Sequence, residues 1–149
     1  MSVPPPINVV ASDPEERSLA ALAHGSILLN CFVPGLGIIA AFAVWLTQRE
    51  RSAYAAYQAL QATVYQLIWA LFPVAMTILG VMAVVGGAVF SAATDSGAGL
   101  LALPLVVLGI LAVIAVALLG LLYALVAAYE AYQGRDFRYW LVGSLVKHP

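Results

Sequence analysis

The sequence predicts an all-α, polytopic integral membrane protein. It reads as a helical bundle of three to four membrane segments with a Pro-Gly break in the first. Three observations predict this. The chain is 64% hydrophobic and 9% charged over 149 residues, where a soluble domain carries about 25% charged residues. Too few polar side chains exist to cover a water-facing surface, so the expected solvent is lipid. No fixed charge interrupts Leu19 to Leu46, Ser52 to Thr94 or Leu100 to Tyr129. Between these runs the bases cluster: Arg49 and Arg51 lie in one loop and Arg135, Arg138 and Lys147 in the C-terminal tail, five of the six in the chain.

The first element is an N-terminal arm with its helix cap, residues 1–18. Pro4, Pro5 and Pro6 favour extended backbone. Ser12 or Asp13 can then cap a helix, with Pro14 in the first turn and Glu15 and Glu16 at its positive end. The arm is not expected to be a secretory leader, because its first base, Arg17, follows acids rather than leading an apolar run.

Residues 19–133 form the expected membrane domain, with helical segments near 14–33, 37–48, 53–90 and 100–133. An unbroken first segment of about 28 residues would rise about 42 Å, longer than the ~30 Å hydrocarbon core. Pro34 should stop or bend it. The halves on either side of Pro34, Gly35 and Gly37 are each too short to cross alone. They form either one kinked span or two half-length helices. The third segment is also too long for one straight span, with Pro73 a candidate break. Within it Tyr54, Tyr57, Gln58, Gln61, Tyr65 and Trp69 recur at helical spacing and share one face. That face suits the membrane interface or the protein interior. Residues 134–149 are a basic, aromatic tail. Bases near span ends favour the cytoplasmic side. Arg49, Arg51, Arg135, Arg138 and Lys147 therefore serve as cytoplasmic anchors, with the C-terminus inside and the turn around Asp95 outside.

The order of short motifs resembles the Tic20-like family of small bacterial membrane proteins. These are His24, Pro34-Gly35-Leu36-Gly37, Trp45-Leu46, the Arg49–Arg51 turn, Gln58-Ala59-Leu60, and Gly134 with Phe137-Arg138-Tyr139. The likeness covers residues 19–147. The chain departs from the pattern at Trp140, where the family has proline, and at Gln61-Ala62, where it has Asn-Phe. The resemblance implies a bacterial cytoplasmic membrane, short helices before and after Pro34, and a role in a protein- or solute-conducting path.

Several residue patterns bear on function. His24 is ionisable within an apolar segment, a place where such residues mark function by default. It is the one candidate ligand for a haem or chlorophyll-type pigment. A hydrogen bond to a neighbouring helix, or a place near the headgroups, is the plainer reading. Cys31 is the only cysteine, so no intrachain disulfide forms, and with His24 it makes a poor metal site. Ala83, Gly87 and Ser91, and again Gly120, Ala124 and Ala128, are small residues four apart that let helices approach closely. Gly35 and Gly37 lack the strand–helix context of a nucleotide fingerprint. A net charge of −1 with no basic patch argues against nucleic acid. No catalytic constellation, metal site or cofactor is expected. The leading reading is a non-enzymatic accessory or scaffold subunit, partnered by the lipid bilayer and by other membrane subunits. The conducting path and the pigment holder are the alternatives.

Overall fold

Helix α1, Pro14–Gly25, begins as its sequence dictates. Asp13 is the cap, and its carboxylate accepts the Glu15 N–H at 2.9 Å. The computed structural model describes residues 13–94, 102–143 and 146. Most of the N-terminal arm, the turn around Asp95 and Lys147 lie outside them. Among the described residues the fold is all-helical: α1, a 3₁₀ segment Ser26–Cys31, α2 (Leu36–Gln48), α3 (Ala53–Thr94) and α4 (Ala102–Tyr132).

The helix expected over 14–33 changes winding at Gly25 and ends at Cys31. The reason is tertiary. The Ser26 hydroxyl sits 2.7 Å from the Ala23 carbonyl and 2.9 Å from the Gly37 carbonyl, which draws the chain toward α2. Residues 32–35 then turn, and Gly35 takes φ +88°, a left-handed conformation that glycine adopts without a Cβ penalty. Pro34 thus lies in a turn between two short helical pieces. At 13 residues α2 rises about 20 Å, short of a full crossing.

Pro73 does not end α3, which continues through it for 42 residues in all. In a chain this apolar, unwinding would expose backbone that nothing nearby can hydrogen-bond. Of the three to four membrane segments expected, α3 and α4 are, among the described residues, the two helices long and apolar enough to cross.

The chain divides into two units. The first comprises residues up to Leu67 together with those from Leu121 onward. Its core is built from small and polar side chains. Ala23, Ala41, Ala59 and Ala62 form one seam, with Val44 and Trp45 against it, and Ala20, Tyr54 and Ala131 form another. Alanines at these contacts let α1 and α2 lie close against the start of α3. The contacts also fix direction. Ala20 meets Tyr54 and Ser26 meets Gln66, so α1 runs parallel to α3 and α2 returns antiparallel. The second unit, Ile68–Gly120, is the remainder of α3 and α4. Its large apolar side chains, Leu79, Val85, Leu108 and Leu111 among them, face outward.

Candidate functional site

The first unit holds a polar core that composition alone would not place in so apolar a chain. It is arranged in two tiers. In the first, His24 from α1 is fully buried between α3 and the C-terminal segment. Its Nε2 lies 3.0 Å from Gln58 Oε1 and its Nδ1 3.0 Å from the Tyr139 hydroxyl. The Gln58 amide nitrogen donates to Asp136 Oδ1 at 3.3 Å and to the Phe137 carbonyl at 3.2 Å. That sets the amide orientation, so Gln58 Oε1 must accept and the imidazole proton sits on Nε2. Nδ1 then accepts from Tyr139, and the imidazole is neutral. Gln61 works beside it: its amide donates to the Phe137 carbonyl at 3.1 Å and its Oε1 accepts the Tyr139 N–H at 3.3 Å.

Aromatic rings close this tier. Tyr65 stacks on Tyr139 at 4.0 Å between centroids, and Tyr123 and Phe137 meet Tyr139 edge-on at 5.3 and 5.1 Å. Burial, with Tyr65 and Tyr123 alongside, pushes the Tyr139 phenol well above the usual tyrosine range, so it remains a hydrogen-bond donor.

The second tier is a ring of hydrogen bonds at the α1–α2 turn. The Gly37 N–H donates to Asn30 Oδ1 at 2.8 Å, and the Asn30 amide donates to Gln66 Oε1 at 3.1 Å. The Gln66 amide donates to Ser26 Oγ at 3.0 Å, and the Ser26 hydroxyl reaches back to the Gly37 carbonyl. Gly37 has to be glycine here. An added Cβ would collide with the Ser26 carbonyl and come within 2.7 Å of Asn30 Nδ2.

The polar–aromatic face lies largely inward. Tyr54, Tyr57, Gln58, Gln61 and Tyr65 are all buried in the first unit. The Tyr54 hydroxyl lies between the carbonyls of Ala131 and Arg135, at 3.1 and 2.9 Å. Trp69 falls in the second unit, where it stacks on Phe72 and its indole occupies the space a side chain at Gly120 would need. Ala124 is buried and Ala128 half-buried, whereas Ala83 is exposed and a Cβ at Gly87 would meet nothing within 4 Å. Arg49 stacks over Trp45 at 5.9 Å and Arg51 is exposed. Arg135 pairs with Glu130, and Arg138 with Asp136, both at 2.9 Å. Cys31 is exposed and shares no straight helix with His24. Sequence reasoning missed Ser26, Asn30 and Gln66 as members of the polar core, and Tyr123 as a ring packed on Tyr139. The available signal was their polarity within uncharged apolar runs.

A family model for magnetosome magnetite crystal formation proteins, MamF/MmsF, matches residues 15–146. The chain belongs to the MamF/MmsF family. No curated protein and no solved structure matches it. This assignment replaces the Tic20-like resemblance. Three of the residues behind that resemblance have local structural roles here. Gly35 supplies a left-handed turn, Gly37 a close approach, and Trp45 a platform for Phe42 and Arg49. The conducting path rested on that resemblance and falls with it.

The core of this MamF/MmsF chain holds parts together. Both His24 nitrogens already have protein partners, so a pigment metal would have to displace Gln58 or Tyr139. No cluster of three or more His, Cys, Asp or Glu gathers among the described residues.

Proposed function

We propose that this chain is a small multi-pass protein of the magnetosome membrane that acts in magnetite crystal formation as a non-enzymatic accessory or scaffold subunit. The family match over residues 15–146 carries the reading. Two features of the fold support it. Helices α3 and α4 are long and apolar enough to cross a bilayer, and the side chains of the second unit face outward as lipid-facing residues would. In the first unit, the polar groups of His24, Gln58, Gln61 and Gln66 are spent on one another and on backbone. The basic loop at Arg49 and Arg51 and the basic tail then lie on the cytoplasmic side.

The test is made in a magnetite-forming bacterium that carries the gene. The chain is expected to stay with isolated magnetosome membranes through an alkaline carbonate wash. Deleting the gene is expected to change crystal size or shape. Purification in mild detergent is expected to bring down other membrane proteins in fixed ratio. Loss of the chain in the wash, or unchanged crystals in the deletion strain, would sink the proposal.

A further inference from the structure

The geometry points to a re-entrant hairpin: α1, the 3₁₀ segment and α2 enter the bilayer hydrocarbon from the charged end of the first unit and return without crossing. This inference rests on the membrane reading above. Four observations within the first unit carry it.

The first is depth. Asn30 and Gly37, at the tip, meet at Gln66 of α3. Ser52, at the base, is one residue from Arg51. Fourteen helical residues separate Ser52 from Gln66, a rise of about 21 Å. Charged residues reach as far as Gln58 through Asp136, so the tip lies about 12 Å beyond the charged layer, short of the ~30 Å needed to emerge.

The second is where charge sits. Arg49, Glu50 and Arg51 are at the base, next in sequence to Ser52. Tyr54, two residues in, binds the carbonyls of Ala131 and Arg135, next to the Glu130–Arg135 pair, and the Asp136–Arg138 pair reaches further, to Gln58, about 12 Å short of Gln66. Ala20 packs on Tyr54 too, which places the Asp13–Arg17 end of α1 at this level. No charged residue lies between Arg17 and Arg49.

The third is the outer surface of the tip. Phe32 is 82% exposed and Ile39 65%, with Leu28, Leu29, Val33 and Leu36 exposed around them. These residues come from the 3₁₀ segment, the turn and α2 alike, so the exposed apolar surface is not confined to one helix.

The fourth is the backbone. Irregular backbone survives at membrane depth only where protein satisfies its polar groups. At the break both polar groups of Gly37 are taken by the Asn30 and Ser26 side chains. Phe32 and Val33 donate to the Leu29 carbonyl and Leu36 to that of Val33. The second-tier ring is then a seal that turns polar groups inward and leaves hydrocarbon outward.

Cys31, the sole cysteine, is exposed at the tip and reports on this directly. The full chain is spin-labelled at Cys31 in detergent, reconstituted into liposomes, and probed for collisions with oxygen and with a water-soluble nickel complex. Two control labels are placed in a Cys31→Ser background: Arg49→Cys at the base and Leu111→Cys in α4. The expected result is high oxygen and low nickel access at residue 31, as at 111, with the reverse at 49. Nickel access at 31 with 111 still in hydrocarbon overturns the hairpin alone, because the tip then lies on the surface or emerges opposite. Low access to both probes at 31 also overturns it, since protein then covers the tip. Nickel access at 111 as well overturns the membrane reading beneath it.

Discussion

Gly37 shows how much one missing side chain decides. Its N–H and carbonyl are both held by side chains, and the Ser26 carbonyl leaves no room for a methyl group. Gly37→Ala must push α2 away from the first helical pieces and open the ring. The expected cost is about 1–3 kcal/mol, read as a lowered midpoint in thermal unfolding of the detergent-solubilised protein. An unchanged midpoint would show that the turn yields freely. At the other tier, Tyr139→Phe keeps the aromatic packing but leaves His24 Nδ1 buried without its donor. A stranded buried acceptor costs about 1–3 kcal/mol. The paired change Tyr139→Phe with His24→Phe removes that orphan but strands Gln58 Oε1, the acceptor of the His24 Nε2–H, so no recovery is expected. A double-mutant cycle on unfolding midpoints measures the coupling.

Among the elements, the C-terminal segment is the least obvious partner in the fold. Read as a sequence, residues 134–149 are a basic, aromatic tail. In the structure Tyr139 and Val142 are buried, and Phe137 and Tyr139 supply acceptors and donors to Gln58, Gln61 and His24. Ending the chain after Gly134 should therefore strand polar groups of α1 and α3 in an apolar interior. The expected outcome is aggregation in mild detergent, visible as loss of the monodisperse peak in size-exclusion chromatography. A well-behaved truncated chain would show that the tail is dispensable. Helix α4 offers a second test. With Trp45→Phe and Trp140→Phe, Trp69 becomes the only indole. Adding Gly120→Val should expel its ring from the helix pair, and fluorescence anisotropy should fall as the ring gains freedom.

For the molecule as a whole, charge placement governs orientation. All the described charged residues fall in the first unit. Replacing Arg49 and Arg51 with glutamine removes two of the six bases and should weaken the bias that keeps that loop cytoplasmic. A mixed population of orientations, seen by protease protection of a C-terminal tag in membrane vesicles, is the expected outcome. By itself the sequence determined the helical class and the approximate positions of the four α-helices, while its expectation of three to four membrane segments is met by two helices of crossing length among the described residues. These follow from composition, spacing and proline and glycine chemistry, all of which act over a few neighbouring residues. The spacing of Tyr54, Gln58, Gln61 and Tyr65 marked a shared face because helical period is local. Only the tertiary structure decided what that face meets. His24 and Tyr139 are 115 residues apart in sequence, and Asn30 and Gln66 are 36 apart. No local pattern encodes which distant donor will satisfy which buried acceptor. The same limit hid the change of winding at Gly25, which answers to a carbonyl on α2, and the passage of α3 through Pro73.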